Sequence, residues 1–516
     1  MLTRLTHAGR SVFPVLRQHW LAAILVVLGI ALRAITMAAY HPALLYVDSL
    51  KYLYGAWPGS DPIGYSILLK SVLLVGDLGF MVFLQHLLGV AIAVVLYILL
   101  LRKGVNRWLS ALAIAPILLD AYQLQAEQTI MPDIAFQGLV FLGLVILIWK
   151  PAASLLTVVV AGLVLGAAVT VHQVGLILIV PIVAYLLIGR GPLFGRGGWR
   201  QAVGKSVAIA VAFAVPVVGY CTIMYVHHGH FRLSTKANAT GRLAQSADCA
   251  TLRIPARVRP ICPSPSLQGN NPDWFVHNKY SPLLTIDLPR SQKTKLWAIL
   301  DHAVQHQQPF RVVEKILRDS IRLYEIDRVD SVAVTDITRW QFQKFYPNYI
   351  PAVVTKPNGD IIVGVQYRLG KTWNFQLLKP AYGGKAEVSK PLSTFLHNYQ
   401  LKGGYTPGPL LLIFTLLGLA GSILALARRK ASPAERQVAV CCLLFFVAAV
   451  GMLLVSDVYV FSWRYQLQAL TTLPPAGVLG ATALKQAFRR RAAESSPAAE
   501  SLTPAEAEAS AAGAGA

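Results

Sequence analysis

Residues 20–39 read WLAAILVVLGIALRAITMAA, a run of 20 residues in which Arg33 is the only charged side chain. An α-helix of about 20 apolar residues spans the hydrocarbon core of a bilayer, which is about 30 Å thick. The stretch 62–76 is apolar but shorter, and Asp61 and Asp77 bracket it, which favours an interfacial or re-entrant segment. We predict membrane spans at 20–39, 80–101, 108–124, 132–149, 152–171, 173–189, 203–226, 407–427, 437–456 and 466–486. The pattern predicts a polytopic α-helical membrane protein with about ten transmembrane helices.

The composition of the chain agrees with a membrane protein. Of its 516 residues, 55% are hydrophobic and 14% are charged, whereas a soluble domain usually carries about 25% charged residues. The formal net charge is +23, which we attribute to Lys and Arg in cytoplasmic loops. No basic patch with interleaved aromatic residues lies within a soluble module, so we expect no nucleic-acid partner.

The distribution of positive charge predicts the orientation of the chain. By the positive-inside rule, loops rich in Lys and Arg lie in the cytoplasm. With the N-terminus inside, the cytoplasmic segments contain Arg4, Arg10, Arg17, Arg102, Lys103, Arg107, Lys150, Arg190, Arg196, Arg200, Lys205, Arg428, Arg429, Lys430, Arg436, Lys485, Arg489, Arg490 and Arg491. The short outside loops contain few, namely Lys51, Lys70 and Arg464. We therefore predict that both termini are cytoplasmic, and the Ala- and Arg-rich spans favour a bacterial plasma membrane.

The spans divide the chain into four parts. Residues 1–226 form an N-terminal transmembrane module whose first loop, 40–79, is the candidate catalytic region. Residues 227–406 form the one large loop between spans, and the charge pattern makes it extracytoplasmic. Residues 407–491 supply the C-terminal transmembrane helices. Residues 492–516 are rich in Ala, Glu, Ser and Pro without an apolar period, which predicts a disordered cytoplasmic tail.

The sequence pattern of the large loop predicts a small α+β domain. Apolar residues keep roughly helical spacing over 291–323. Residues 359–379 alternate in the manner of strands and contain a turn at Leu369–Gly370. Cys249 and Cys262 also lie in this loop. They either form a disulfide, which an oxidising compartment would permit, or remain two free thiols.

Ionisable residues cluster at the predicted outer ends of the spans. Charge at membrane depth is costly and therefore marks function more often than surface charge does. The candidates are Asp48, in the first loop; Arg33, near the outer end of the first span; Glu127 and Asp133, in the turn between the third and fourth spans; His172, at the next outer junction; and Arg464, just before the last span. Each also has a structural explanation, since carboxylates cap helices and arginines anchor span ends.

These residue types suit transfer of a group from a phosphate-bearing lipid. A carboxylate can take a proton from an acceptor hydroxyl. A guanidinium group can bind a phosphate bidentately and stabilise the charge on a departing phosphate. The phosphate of a membrane lipid would lie at this depth, with its tail in the bilayer.

At these residues the sequence resembles the GT-C glycosyltransferases that use polyprenyl-phosphate sugars, in particular the branch of protein O-mannosyltransferases and the lipid A aminoarabinose transferase. The resemblance covers 20–190 and 407–480. It rests on Asp48, Asp61-Pro62-Ile63-Gly64-Tyr65, Gln85-His86-Leu87-Leu88-Gly89, the turn from Glu127 to Asp133, and Arg464-Tyr465. In the large loop, Asn238-Ala239-Thr240-Gly241-Arg242, Asp248-Cys249 and Cys262-Pro263 resemble bacterial phospholipid-carrier-dependent glycosyltransferases.

The resemblance implies a GT-C-like fold and an inverting, single-displacement reaction. Asp48 would be the catalytic base, and Glu127 and Asp133 are further candidate catalytic residues. Arg464, with Arg33 and His172, would bind the donor phosphate. The partners would be a polyprenyl-phosphate-linked sugar, membrane lipid and an extracytoplasmic acceptor. A divalent metal is the one cofactor to consider, although Ser49 follows Asp48 where the family often has a second acidic residue.

Two other functions are compatible with a chain of this kind. A transporter or flippase for a lipid or solute would also be polytopic, but it should contain paired broken helices in two related halves, and we find no such symmetry. A catalytically inactive partner in envelope assembly would retain the fold without the second first-loop carboxylate.

Overall fold

The structure is a computed structural model that describes residues 17–54, 63–189, 198–233, 239–334, 337–344, 349–355, 361–369, 372–377, 383, 387–427 and 431–494. Asp61, Asn238 and most of the predicted tail, residues 495–516, lie outside the described residues.

The N-terminal part of the chain is almost entirely helical. Its helices are α1 (Trp20–Ala39), α2 (Val47–Tyr54), α3 (Gly64–Val72), α4 (Leu78–Arg102), α5 (Arg107–Leu119), α6 (Ala121–Gln128), α7 (Asp133–Ile148), α8 (Leu155–Val171), α9 (Ile179–Ile188) and α10 (Gly198–His228). A 3-10 turn (Gln173–Leu178) precedes α9. The short α3 occupies the predicted interfacial stretch.

The large loop contains further helices and the strands. The helices are α11 (Thr240–Ser246), α12 (Pro272–His277), α13 (Pro282–Thr285), α14 (Arg290–Gln307), α15 (Pro309–Ile321) and α16 (Lys390–Leu401). Strands β2 (Tyr349–Thr355), β3 (Ile361–Leu369) and β4 (Thr372–Leu377) form an antiparallel sheet in the order β2-β3-β4. Strand β1 (Tyr40–His41), which follows α1, pairs with β5 (Glu387–Val388) and ties the first loop to the large loop.

The chain then returns to long helices. They are α17 (Gly408–Ala427), α18 (Pro433–Tyr459), α19 (Leu467–Leu470) and α20 (Leu473–Glu494). Ser432 and Glu435 form a reciprocal capping box that begins α18. Helix α20 begins later than the predicted span at 466, because Pro474 and Pro475 are tolerated only in the first turn of a helix. Residues 492–494 of the predicted tail belong to α20.

Within the described residues, five helices are long and apolar enough to cross a membrane: α1, α4, α10, α17 and α18. Helices α5 and α6 together would make a sixth, bent by 48° at Asp120. Helices α7 and α8, and the 3-10 turn with α9, are apolar but shorter. The structure thus has helices in every predicted span, whereas the total of about ten crossings stays a prediction.

The long helices pack closely enough that glycine is required at some contacts. A side chain at Gly166 of α8 would meet the backbone carbonyl of Phe213 in α10, and one at Gly480 of α20 would meet that of Leu417 in α17. Small residues permit such close backbone approach, on which helix association in a bilayer depends. Close packing at these glycines thus joins α8 to α10 and α20 to α17.

The large loop has its own core. Leu243 of α11, Phe275 of α12 and Leu300 of α14 are buried in one hydrophobic cluster. Cys249 and Cys262 form a disulfide bond beside it. Helix α16 packs separately against α1, with Leu396 buried in a small cluster.

The predicted helix at 291–323 is divided in two in the structure. Helix α14 ends at Gln307 and α15 begins at Pro309, with Gln308 in a non-helical conformation. Proline lacks a backbone N–H and disfavours the helical conformation in the preceding residue, which explains the break. Strands β3 and β4 lie within the segment 359–379 for which strands are predicted, and strand β2 is an addition. Gly370 of the predicted turn lies outside the described residues.

Asp301 of α14 is a buried carboxyl group in the core of the large loop. Its Oδ2 accepts a hydrogen bond of 2.6 Å from the Thr240 hydroxyl, while its buried Oδ1 has no partner among the described residues. Burial raises the pKa of Asp301 to about 6, although the Thr240 hydrogen bond lowers it. Since the folded-state pKa is the higher one, ionisation of Asp301 disfavours folding as the pH rises through about 6.

We therefore expect Asp301→Asn to raise the melting temperature at pH 7.5 and to raise it much less at pH 4.5, where Asp301 is already protonated in the folded state. Thermal unfolding of purified protein in detergent at the two pH values measures this difference. Asp287→Asn, at an exposed position of the same loop, is the control and should change neither value. An equal gain at both pH values would contradict the assignment.

Candidate functional site

A cavity of about 450 Å³ lies where the first loop, the large loop and the adjoining ends of α8 and α18 meet. A volume of this size accommodates a small polar ligand. Three parts of the chain supply its charged and aromatic lining: Asp48, Lys51 and Tyr52 from α2; His172, Tyr459, Arg464 and Tyr465 from the membrane helices and their ends; and Asp273, His277, Arg290 and Trp297 from the large loop. Of the six predicted site residues, Asp48, His172 and Arg464 are thus brought together.

Asp48 lies in the first turn of α2. The Ser49 hydroxyl accepts from the Tyr46 backbone N–H at 2.8 Å, while the Ser49 N–H donates back to the Tyr46 carbonyl, and this pair fixes the start of the helix. Asp48 Oδ1 accepts from Lys51 Nζ at 3.1 Å, and the Asp48 side chain is 40% exposed. No described residue donates to its Oδ2. One carboxylate oxygen is therefore open to a ligand in the cavity.

Arg464 is held in place by Asp133. Its Nε and Nη2 donate to the two carboxylate oxygens of Asp133 at 2.8 and 2.7 Å, a bidentate pair that is nearly buried. The guanidinium also lies 4.8 Å from the ring of Trp340. Burial alone would lower the pKa of Arg464, but Asp133, with a smaller contribution from Asp48, keeps it above its usual range. Arg464 is therefore charged, and among the described residues its Nη1 has no hydrogen-bond partner.

Asp133 does not line the cavity, although it is predicted as a catalytic residue. Both of its oxygens accept from Arg464, so they are occupied. The structure places Asp133 behind Arg464, where it orients the guanidinium and balances its charge. Sequence position suggested proximity to the site but could not show which group Asp133 faces.

Arg33 and Glu127 form a separate ion pair within the helix bundle. Arg33 Nη2 donates to Glu127 Oε1 at 2.7 Å, and the two side chains are 4% and 0% exposed. Glu127 Oε2 lies 2.7 Å from His86 Nδ1. The remaining bonds of Arg33 go to the backbone carbonyls of Gly29, Ile117 and Leu118. Neither Arg33 nor Glu127 lines the cavity, so the structure does not bring these two predicted residues to the site.

His172 ends α8 and begins the 3-10 turn that follows. Its Nδ1 accepts from the Val174 backbone N–H at 3.4 Å. Its ring lies edge-on to Tyr465, with 6.2 Å between the ring centroids. His172 therefore lines the cavity beside the residue that follows Arg464.

The large loop contributes site residues that the sequence did not indicate. Asp273 follows Pro272 in α12, which Asn271 caps by accepting from the Trp274 N–H at 3.0 Å. Burial raises the pKa of Asp273 and the charge of Asp48 raises it further, while His277 and Arg339 lower it. Arg290 has no side-chain partner among the described residues. No motif marks this part of the loop, so only its packing over the first loop reveals these side chains.

Within the described part of the chain, no three His, Cys, Asp or Glu side chains are grouped closely enough to hold a metal ion. Asp61, the next acidic residue of the first loop after Asp48, lies outside that part. The binding of a divalent metal therefore stays a prediction, and the described side chains do not decide it.

Comparison with known proteins finds likeness only in solved structures. No protein-family model matches the sequence, and no curated protein matches it. The S. cerevisiae protein O-mannosyltransferase Pmt1-Pmt2 complex, bound to the sugar donor, is 17% identical at a TM-score of 0.31; the match covers 44% of this chain and 36% of that one. The archaeal oligosaccharyltransferase AglB from Archaeoglobus fulgidus, in complex with an inhibitory peptide and a dolichol-phosphate, is 10% identical at a TM-score of 0.36; the match covers 93% and 52%.

Both neighbours are glycosyltransferases of the GT-C fold, the fold class that the sequence resembles. This chain spans less than two thirds of the length of either one. At these TM-scores the likeness assigns no activity, and the function has to be argued from the cavity itself.

The buried Arg33–Glu127 pair leads to a test of stability. Removing one partner of a buried ion pair costs about 3–5 kcal/mol, because it leaves an uncompensated charge. We expect Arg33→Met to lower the melting temperature and the yield of folded protein in detergent, and the double variant Arg33→Met with Glu127→Gln to recover part of both.

Lys51→Met is the matched control for this test. It removes one partner of the half-exposed Asp48–Lys51 pair, and exposed pairs contribute about 0–1 kcal/mol. Its melting temperature should stay close to that of the wild type. Equal destabilisation by the two single substitutions would contradict a special role for the buried pair.

Proposed function

We propose that the protein is an integral membrane glycosyltransferase that moves a sugar from a polyprenyl-phosphate donor to an extracytoplasmic acceptor. The observation that carries the proposal is the meeting, in one cavity, of a carboxylate with an open oxygen, Asp48, and a buried charged guanidinium with an unused N–H group, Arg464. The carboxylate of Asp48 suits the role of a general base, and the guanidinium of Arg464 suits the binding of a phosphate.

The reaction would be a single displacement. The acceptor oxygen attacks the anomeric carbon and forms the new glycosidic bond, while the bond from that carbon to the phosphate oxygen breaks. The acceptor proton passes to Asp48, and the electron pair of the broken bond leaves with the polyprenyl phosphate. Arg464 stabilises the negative charge on this leaving group. The anomeric configuration is inverted, since there is one attack from the face opposite the phosphate.

The surroundings of the two residues suit a donor that reaches the cavity from a membrane. His172 and Arg464 lie at the ends of helices in the bundle, so a lipid phosphate could reach them while its tail stays between apolar helices. Arg290 adds a further positive charge to the lining. A divalent metal would add to this charge, and the effect of EDTA on turnover tests that requirement.

The predicted location is a bacterial plasma membrane with both termini in the cytoplasm, which places the cavity on the extracytoplasmic side. Disulfide formation between Cys249 and Cys262 is compatible with an oxidising compartment.

Asp48→Asn tests the function directly. An amide cannot accept the acceptor proton, and loss of a general base lowers the rate by about 10²–10⁴-fold. Purified protein in nanodiscs would be given radiolabelled polyprenyl-phosphate hexoses or pentoses together with a membrane extract, and release of label from the lipid would be measured. We expect turnover by the wild type and by the exposed control Asp287→Asn, and near-complete loss in Asp48→Asn with an unchanged melting temperature.

Two outcomes would contradict the proposal in different ways. Equal turnover by wild type and Asp48→Asn would remove the base assignment. Absence of turnover with every donor would contradict the transferase function. Movement of the lipid or a solute across the membrane of vesicles that contain the purified protein would then favour a transporter, and absence of both activities would favour an inactive assembly partner.

A further inference from the structure

Part of the cavity lining comes from the large loop and is here called the wall. In the proposed reaction the donor phosphate does not need this wall for binding. A lipid phosphate that enters from the bundle would meet Arg464 and His172, whereas Asp273 and Trp297 come from the large loop. Asp48 of α2 lines the same cavity as Asp273 and Arg464. A base in that position can serve an acceptor held against the large loop.

The wall from the large loop is anchored to the helix bundle. Arg242 of α11 is fully buried and donates to Asp319 Oδ2 and to the backbone carbonyl of Asp457 in α18, each at 2.6 Å. Its neighbour Gly241 packs so closely against the backbone carbonyl of Pro272 that a side chain there would collide with it. Helix α12, which carries Asp273, is thereby fixed relative to α18. Contacts within the protein thus hold the wall in position.

The two main side chains of this wall have restricted orientations. The Asn271 amide donates to the Val332 and Val334 carbonyls while the Asn271 oxygen caps α12, which positions Asp273 in the first helical turn. The Trp297 indole N–H donates to the Leu283 carbonyl at 3.1 Å. With its N–H engaged by the protein, the indole offers ring surface rather than a hydrogen bond to the cavity.

A carboxylate beside an indole surface matches the chemistry of a sugar ring. Hydroxyl groups donate to a carboxylate, which accepts through both oxygens. The C–H face of a pyranose is apolar and covers an aromatic ring, which supplies a large contact area. Recognition of an extended peptide by strand addition needs the unpaired backbone groups of a strand edge, and the lining of this cavity comes from helices and the turns that join them.

We propose that Asp273 and Trp297 form the acceptor subsite and that the acceptor is a carbohydrate. The place of this subsite in a reaction rests on the transferase function proposed above, whereas its ability to bind a sugar does not. The hydroxyl that receives the new bond would point from this wall toward Asp48.

Binding is measured first, without turnover. Saturation-transfer difference NMR on wild-type protein in nanodiscs would use a panel of methyl glycosides, hexopyranosides and pentofuranosides, with a Ser/Thr-containing peptide as the competing acceptor class. We expect at least one glycoside to bind, and Asp273→Asn and Trp297→Ala each to weaken its binding by about tenfold, the effect of losing one good polar or aromatic contact. Asp287→Asn and Trp199→Ala, which change residues outside the cavity lining, are the matched controls and should bind as the wild type does.

Turnover then separates this subsite from a purely structural role. With the bound glycoside as acceptor, Asp273→Asn should raise the KM for the acceptor by about tenfold and change the KM for the lipid donor by less than about twofold. An equal rise in both KM values would overturn the assignment to the acceptor. Melting temperatures of all variants show whether they are folded.

The two proposals fail in distinguishable ways. If a glycoside binds but no donor is turned over, the subsite is supported and the transferase function is contradicted. If the protein releases sugar from the lipid but binds no glycoside, the carbohydrate acceptor is contradicted and the transferase function is retained. The same conclusion follows if the protein binds the peptide and loses this binding in Asp273→Asn and Trp297→Ala.

Discussion

The structure depends on how charge is accommodated within a bundle of apolar helices. An ionised group at membrane depth is costly unless it is paired. Arg33 of α1 and Glu127 of α6 form an ion pair, and His86 of α4 is the third member of this cluster because it contacts Glu127. Since Arg33 also donates to carbonyls at the end of α5, this one cluster ties together α1, α4 and the broken pair α5–α6.

The break at Asp120 connects the bundle to the large loop. One Asp120 oxygen caps α6 by accepting from the Tyr122 N–H, and the other accepts from the Thr406 N–H at 2.7 Å, just before α17. Arg328 lies 3.7 Å from this second oxygen and between the rings of Tyr122 and Tyr405. A single carboxylate thus bends one pair of helices and fixes the point where the large loop re-enters the bundle, which sets how that loop covers the first loop and closes the cavity.

Exposure distinguishes the carboxylates that share this end of the molecule. Glu127 and Asp133 have both oxygens engaged by protein side chains, namely Arg33 and His86 for Glu127 and Arg464 for Asp133. Asp48 is half-exposed and keeps one oxygen open, and Asp273 faces the same cavity from the large loop. The proposed division of roles follows this difference, because a general base must be able to exchange partners, whereas a group that orients another must keep its own.

The sequence alone determined the helical membrane character of the chain. The length and spacing of apolar runs such as 20–39 are local properties, and they decide directly whether a segment can form a helix that spans a bilayer. It also indicated Asp48 and Arg464 as site candidates, since charge beside an apolar run is rare. Only the tertiary structure decided that Asp133, 331 positions away from Arg464 in the chain, pairs with it, that Glu127 turns into the bundle, and that Asp273 joins the cavity. Which charges meet depends on the rotation and packing of helices that are distant in sequence, and no local pattern records that.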